Sequence, residues 1–472
     1  MKKLITSFSK AFWVANFVEL LERCAYYGVF IVLSIYLSRI LGFTDIQAGF
    51  IGGFFSAGLY LLPTFSGAYA DKIGFRNAML LAFALLTTGY AGLGILPTIL
   101  ESGGLVNYGM ETTFTGLRES ASRWAIIPVL LLIMFGGSFI KSVISGTVAK
   151  ETTVKNRARG FSIFYMMINI GAFSGKTVVE PLRKAMGNEG LVVLNYFAAA
   201  VTLLAFVIIF FLYKSNKTES EGKSFGDIWS GLYKALTNGR LLGLMFIVSG
   251  FWLVQGQMYT TMPKYVLRMA GEGAAPGWYA NVNPLIVVIF VGWITHLMRK
   301  RKAITSMIVG MCLLPFAAFV MATGNMVGSD AILGMHPIAF MMVAGIAIQG
   351  LAETFISPRY LEYFSLQAPT GQEGLYLGFS NLHSFFSWLV AFVLSGYLLD
   401  RYCPDPNNFA SHAEWQAASQ HAHYIWFIFV GVAILSIIAL VIYSKVVKPQ
   451  KTVISDINKD NFEEKLIKEE NE

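Results

Sequence analysis

Apolar residues fill repeated runs of about 20 positions along this chain, and polar residues gather in the shorter stretches between them. Runs of that length are what an α-helix needs to cross a hydrocarbon core roughly 30 Å thick. The runs are apolar on every side and lack the alternation of transmembrane strands, so they predict about twelve membrane-spanning helices. The predicted limits lie near 11–38, 46–70, 77–97, 124–149, 160–182, 192–213, 241–268, 281–298, 303–323, 335–366, 372–399 and 421–446.

The longest internal polar stretch divides these runs into two equal sets, which predicts an N-terminal six-helix bundle at 1–213 and a C-terminal bundle at 241–447. Between them, the linker 214–240 contains "SFGDIWSGLYKAL", whose apolar residues share one helical face. That pattern predicts an interfacial helix lying on the membrane. The charged tail at 448–472 is predicted to be a disordered cytoplasmic segment.

Composition agrees with an integral membrane protein, since 55% of the residues are hydrophobic and only 14% are charged. Placing both termini in the cytoplasm puts roughly 25 basic residues inside and about 8 outside, as the positive-inside rule requires. The net charge of +8 is therefore a topology signal and indicates no nucleic-acid partner. These features predict a multi-pass protein of the plasma membrane, or the inner membrane of a bacterium, with the lipid bilayer as its surroundings.

Three charged residues interrupt the first apolar run in the stretch "ELLERCAYYG". Helical spacing places Glu19, Glu22 and Arg23 on one face together with Tyr26. Charges inside a membrane are tolerated only when they pair and face a bundle interior or a wet cavity. Two acids and one base leave one acid unmatched, and that acid can hold a proton. A static ion pair that locks helix packing is the alternative.

Two later runs also carry charge. Glu353 lies midway along its run, and Pro358 follows it and removes a backbone hydrogen bond, which permits a bend suited to a gate. Lys176 and Glu180 lie one helical turn apart in the fifth run. They are expected either to pair and snorkel to the outer interface, or to form an outer gate or an added anion contact.

The stretch "GAYADKIGFR" resembles the short motif between the second and third helices of the major facilitator transporters. Together with the two sets of runs, it implies an all-α membrane protein with the major facilitator fold. In that family the motif holds the inner gate, a role that would fall here to Asp71 and Arg76.

"ELLERCAYYG" also resembles the ExxERFxYYG signature of the proton-dependent oligopeptide transporter family, and "FSIFYMMINIGAF", "WYANVNPL", "AETFISP" and "LQAP" resemble further segments of it. The resemblance implies proton coupling at Glu19, Glu22 and Arg23, with protons as the coupling ion and no cofactor. It also implies a substrate cavity lined by Tyr27, Tyr60, Lys141, Asn169, Gln255, Asn283 and Glu353. In the family, basic groups hold the carboxylate of the peptide and an acid on the tenth helix holds its amino group.

The chain departs from this family at several positions. In "FWLVQGQMYTT", Gln255 and Gly256 stand where the family has acids, and Phe30 stands where it has an arginine. Lys141 therefore lacks its usual carboxylate partner. A lone buried ammonium is costly, so Lys141 is expected to pair with Glu19, with Glu22 or with an anionic group of the substrate.

These patterns predict a proton-coupled symporter that imports peptides or a peptide-like small zwitterionic or anionic solute by alternating access. A proton-driven exporter of drugs or metabolites and a non-transporting membrane sensor are the alternatives. The partners are a small-molecule or short-peptide substrate and the bilayer, and one chain is expected to function as a monomer. The sequence contains no hydrolase motif and no metal-ligand cluster, so an enzyme is not expected. "GAFSGKT" resembles a phosphate loop but has three residues between its glycines instead of four, and no strand precedes it.

Overall fold

A computed structural model of the chain describes residues 8–108, 112–152, 156–214, 237–298, 300–328, 330–367 and 381–447, together with 226, 229–230 and 233. Nearly all of this structure is helical. The helices, labelled here α1 to α16 in order, are Lys10–Arg39, Asp45–Leu61, Pro63–Ile73, Phe75–Ser102, Ile126–Lys150, Arg157–Met186, Asn188–Leu212, Gly239–Thr260, Met262–Ala270, Pro276–Ala280, Val282–Met298, Ala303–Thr323, Pro337–Gln367, Leu382–Tyr402, His412–Ala418 and Tyr424–Val446.

Ten of the helical segments in the described part of the chain are long and apolar enough to cross a membrane. Two more crossings complete the predicted set. One is the pair α2 and α3, which meet at Leu62 and Pro63 and together replace the single predicted span 46–70. The other is α6, whose second half is too charged to read as a simple apolar span. The all-α membrane fold predicted from the sequence is confirmed.

In its described part, the chain crosses the bundle twelve times in alternating directions, so α1 begins and α16 ends at the same side. We call that side the terminal face and the opposite side the distal face. The first helix starts cleanly because the Ser9 hydroxyl accepts a hydrogen bond from the Phe12 N–H at 3.1 Å. The predicted span 241–268 is α8 continued by α9 after Pro263, and the predicted span 281–298 is preceded by the short α10 at the distal face.

Helix α1 lies in the interior and packs closely against α6 through glycines. A side chain at Gly171 would meet the Leu20 carbonyl oxygen at 2.5 Å, and one at Gly175 would collide with the carbonyl oxygen of Cys24. Gly171 and Gly175 are four residues apart, the spacing that lets two membrane helices approach. The glycines of "GAFSGKT" therefore serve helix packing, and the expectation that the segment is not a phosphate loop agrees with its place inside a helix.

The two halves of the chain meet most closely where α2 crosses α14 near the distal face. A side chain at Gly49 would lie 2.6 Å from the Phe392 carbonyl oxygen, and one at Gly396 would lie 2.5 Å from the Asp45 carbonyl oxygen. Of the predicted linker 214–240, Trp229 is described and packs against Phe65 with ring centroids 5.6 Å apart. Most of that linker and the predicted tail 448–472 lie outside the described residues.

Candidate functional site

The charges of α1 form one buried cluster in the N-terminal half. The Arg23 Nε donates a hydrogen bond to Glu19 Oε1 at 2.7 Å, and Glu22 Oε2 lies 2.9 Å from the same nitrogen. The Glu22 oxygen nevertheless has no hydrogen-bond partner, since the N–H of Arg23 points at Glu19. Both carboxylates are almost fully buried. Arg23 thus forms ion pairs with both acids, but only Glu19 accepts its hydrogen bond.

Lys141 lies on α5 beside this cluster but does not pair with it. Its Nζ is 3.3 Å from the Leu59 carbonyl oxygen and 3.4 Å from the centre of the Tyr60 ring. Within the described residues, Lys141 forms no ion pair with Glu19 or Glu22. Of the two alternatives, pairing with those acids is not formed in this conformation, and pairing with an anionic group of the substrate stays a prediction. A backbone carbonyl and an aromatic face share the ammonium, as cation–π contacts allow.

Glu353 is the matching acid of the C-terminal half, on α13. Its Oε2 accepts hydrogen bonds from the Gln255 Nε2 at 2.7 Å and the Asn283 Nδ2 at 3.2 Å. In the part of the chain that the structure describes, no cation forms an ion pair with Glu353. Gln255, which the sequence presented as a missing partner for Lys141, is instead a neutral partner for Glu353.

An aromatic wall separates the two acidic centres. Tyr27 interacts electrostatically with Glu22 in one half and with Glu353 in the other, so it lies between them. Tyr60 and Trp388 face each other across the halves with ring centroids 6.4 Å apart and nearly parallel planes. Tyr259 lies 6.0 Å from Tyr27, centroid to centroid. Tyr259 and Trp388 could not be predicted as site residues from the sequence, because aromatic residues inside membrane helices are too common to single out.

Phe30 takes part in the same wall. Its ring lies 5.0 Å from Tyr26 on its own helix and 5.2 Å from Trp388 and 5.5 Å from Tyr259 of the other half, centroid to centroid. A residue that the family resemblance would make an arginine thus joins the halves through apolar contact.

Two predicted residues are placed near this centre without touching the others. Asn169 on α6 donates to the Tyr165 carbonyl oxygen of its own helix at 2.8 Å. Tyr165 interacts electrostatically with Glu353, which places this stretch of α6 toward the C-terminal acid. Pro358 lies inside α13, after Glu353, and the hydroxyl of the neighbouring Ser357 is buried without a partner.

Lys176 and Glu180 do not pair with each other, so the expected ion pair at the outer interface is wrong. Lys176 is 1% exposed, and its Nζ donates to the Ala280 carbonyl oxygen at 3.1 Å. Glu180 binds Arg183 at 3.0 Å and accepts from the Gly277 N–H at 2.8 Å. Both side chains therefore join α6 to the short α10 of the other half, which agrees with the alternative of a gate.

A second set of contacts between the halves lies at the distal face and was missed from the sequence. Asp45, at the start of α2, binds Lys264 at 2.6 Å and Arg268 at 2.7 Å, both on α9. Arg39 binds Glu272 with two hydrogen bonds of 3.0 and 2.5 Å. These pairs join residues more than 200 positions apart in the chain. The only sequence signal was the four-residue spacing of Lys264 and Arg268, which places both on one face of a helix.

The predicted inner-gate motif lies at the terminal face. The side chain of Asp71 is outside the described part of the structure. Arg76 donates to the Phe210 carbonyl oxygen at 2.7 Å and lies over the Phe210 ring. This contact stays within the N-terminal half, where it ties the turn between α3 and α4 to the end of α7.

Comparison with known proteins sets this arrangement in context. Residues 15–331 match the family model described as Major Facilitator Superfamily. The chain is 28% identical over 210 residues to dipeptide and tripeptide permease B of Photorhabdus asymbiotica, a match that covers 44% of this chain and 37% of the permease. It is 21% identical to the multidrug resistance protein MdtH of Photorhabdus laumondii, over 81% of this chain and 85% of that protein.

Among solved structures, the fold resembles that of the POT family transporter PepTSo. The TM-score is 0.67 at 18% sequence identity, and the alignment covers 92% of this chain and 97% of PepTSo. The expected fold, and the expected resemblance to the proton-dependent oligopeptide transporters, are confirmed by these matches.

Proposed function

The chain belongs to the Major Facilitator Superfamily, and from that premise we propose that it is a proton-coupled symporter for peptides or peptide-like zwitterionic solutes. The named relatives include a peptide permease, and the fold is shared with a POT family transporter. The proposal assigns import across the plasma membrane to a single chain, with the terminal face in the cytoplasm, as the distribution of basic residues favours.

The observation that carries the proposal is that the hydrogen bonds of Glu353 come from neutral groups. Glu353 accepts hydrogen bonds from two neutral amide groups, which bring no charge of their own, and no described residue forms an ion pair with it. Lys176 interacts with Glu353 electrostatically without direct contact, so the carboxylate keeps room for a cation at hydrogen-bond distance. A buried charge of this kind favours a positively charged partner. The amino terminus of a peptide, or the ammonium of another zwitterion, supplies one.

The cations of the N-terminal half suit the carboxylate end of the proposed substrate. Arg23 and Lys141 lie in the N-terminal half, and among the described residues a carbonyl and an aromatic ring are the direct contacts of the Lys141 ammonium. Guanidinium and ammonium groups bind carboxylates well. A zwitterion bridging Glu353 and these cations would span the aromatic wall at Tyr27 and Tyr60.

Proton coupling is assigned to the α1 cluster. When Glu22 takes up a proton, the acids around Arg23 lose one negative charge, and the guanidinium becomes a stronger site for a carboxylate. When the substrate leaves, Arg23 again favours an ionised Glu22. Uptake of one proton and one carboxylate in the same half would couple the two movements.

Alternating access fits the distribution of contacts between the halves. Lys176, Glu180, Asp45, Arg39 and their partners close the distal face, so the conformation is one with the outer side sealed under the proposed orientation. Opening to the outside would break these contacts and re-form others at the terminal face, where Asp71, Arg76 and Pro358 are proposed to act.

The test is transport in proteoliposomes that contain the purified full-length chain. With an acidic exterior, dialanine should accumulate inside, and its uptake should carry protons inward. A protein that moves a drug or metabolite outward against the same gradient would favour the exporter. Binding of dialanine without any flux would favour the sensor and contradict the proposal.

A further inference from the structure

A long apolar groove opens sideways on the N-terminal half, between α2 and α5. Its volume is about 740 Å³, and its walls include Phe50, Phe54, Leu61, Leu131 and Met134. It runs along α2 from Gln47 near the distal face to Leu62, about 22 Å at 1.5 Å per residue. Because it faces outward from a membrane-spanning helix bundle, the bilayer is its surroundings.

The distal mouth of the groove carries an arginine without an anionic partner. Trp124, just before α5, lines the groove and packs edge-on to Phe43 at 5.1 Å between ring centroids. The guanidinium of Arg123 lies over both rings, 5.0 Å from the centre of Phe43 and 5.7 Å from that of Trp124. Its Nε is buried and has no hydrogen-bond partner, and Arg123 forms no ion pair with any described residue.

We propose that Arg123 and the groove together form a binding site for an anionic phospholipid of the distal leaflet. The phosphodiester would take the free guanidinium donors, for which a planar fork with several N–H groups is well matched. One acyl chain would lie along the groove, where the side chains beyond Gln47 are apolar. An arginine beside a tryptophan at the membrane–water interface is the expected place for a lipid headgroup.

The charge argues for an anionic lipid in particular. A zwitterionic headgroup brings its own ammonium and gains less from Arg123, because the two cations repel. A soluble phosphate compound would reach the guanidinium but leave the groove empty. A ligand that fills the site therefore needs an anionic headgroup and an acyl chain in one molecule.

The position links this lipid to the moving parts of the protein. Helix α2 forms one wall of the groove and also packs on α14 of the other half through Gly49 and Gly396. Phe385 of α14 contributes to the groove wall as well. A bound acyl chain would therefore stabilise the arrangement in which α2 and α14 are in contact near the distal face.

The test is lipid binding to the delipidated, full-length protein in detergent, measured by native mass spectrometry and by thermal stabilisation. Dioleoylphosphatidylglycerol should bind about five-fold more tightly than dioleoylphosphatidylcholine, the preference expected of one interfacial arginine. Arg123→Gln should remove that preference, and Arg123→Lys should keep part of it. Glycerophosphate alone should bind to neither protein.

Two matched controls separate the site from general lipid contact. Arg118→Gln alters another arginine of the same loop and should leave the preference unchanged. Leu131→Trp should fill the groove and weaken both lipids, whereas Leu435→Trp, on the exposed surface of α16, should weaken neither. An unchanged preference in Arg123→Gln, equal binding of the two lipids to the wild type, or normal binding to Leu131→Trp would overturn the proposal.

Discussion

The two buried acidic centres of this protein are built on opposite plans. In the N-terminal half, Glu19 and Glu22 share one guanidinium, and only Glu19 receives its hydrogen bond. In the C-terminal half, Glu353 accepts hydrogen bonds from two neutral amides, and the cation that interacts with it, Lys176, forms no ion pair with it. The first centre can change its charge internally, because Glu22 gives up no hydrogen bond when it takes a proton and Arg23 keeps its bond to Glu19. The second keeps a fixed arrangement that favours an external cation.

This difference divides the proposed work between the halves. A carboxylate that both bound the substrate amine and carried the proton would bind the amine weakly whenever it was protonated. Placing the proton on Glu22 and the amine on Glu353 avoids that conflict. The predictions below separate the two roles, beginning with the change of largest effect.

Replacing Glu22 should abolish proton-driven accumulation. Glu22→Gln keeps the shape of the side chain but removes the titrating group, so uphill uptake of dialanine should fall to the background level. Exchange of labelled for unlabelled dialanine should survive, because exchange moves no net proton. Glu101→Gln, at the distal end of α4, is the control and should accumulate normally. Full accumulation by Glu22→Gln would contradict the assignment of the proton to the N-terminal half.

Replacing Glu353 should weaken ligands according to their amino group. Loss of one partner from a desolvated charge pair costs about 2 kcal/mol or more, roughly 30-fold in affinity. Glu353→Gln should therefore weaken dialanine by that factor, measured by thermal stabilisation or isothermal titration. The analogue of dialanine that lacks the amino group should bind the mutant and the wild type alike. Equal losses for both compounds would indicate a structural role for Glu353.

An acid placed at position 255 should make the charge of the C-terminal centre depend on pH. In Gln255→Glu two carboxylates would face each other at hydrogen-bond distance, and one would hold a proton near neutral pH. As the pH rises and that proton leaves, the added negative charge should strengthen binding of an ammonium. The affinity of the wild type for dialanine is expected to fall as the pH rises, because Glu22 loses its proton, so Gln255→Glu should show a weaker or reversed fall and Gln255→Leu should keep the wild-type slope. The same slope in both variants would contradict the pairing seen here.

Replacing Lys141 should have the smallest effect of the four. Arg23 remains available for a carboxylate, so Lys141→Ala should weaken carboxylate-bearing ligands by about ten-fold, near 1.4 kcal/mol. An amidated dialanine, which lacks the carboxylate, should be unaffected. Tyr60→Leu removes the ring under the ammonium and serves as the companion variant, with a loss no greater than that of Lys141→Ala. Unchanged binding in Lys141→Ala would make it a packing residue.

The sequence was informative wherever one helix decides the outcome. Glu19, Glu22 and Arg23 lie on one face of α1 because helical spacing alone places them there. The break at Pro63 and the break between α8 and α9 just before Pro263 were not predicted, since a proline can either bend a span or divide it. The glycines of "GAFSGKT" are explained only by the carbonyl groups of α1 that they approach.

Contacts between distant segments could not be read from the sequence. The partners of Lys141 and Lys176 are backbone carbonyl oxygens, which every residue carries and no pattern marks. Gln255 was interpreted by what it replaces, whereas its effect depends on Glu353 lying opposite. Asp45 and Lys264 are buried together although each would suit an exposed helix end. Such pairings are fixed by how the halves meet.

The most direct test of the division between the halves is the pH dependence of dialanine affinity in three proteins, measured under otherwise identical conditions. In the wild type, affinity should rise as the pH falls, because protonation of Glu22 frees Arg23 for the carboxylate of the ligand. Glu22→Gln should lose this dependence, and Glu353→Gln should bind weakly at every pH but keep the same slope. A slope that survives in Glu22→Gln and disappears in Glu353→Gln would contradict the account.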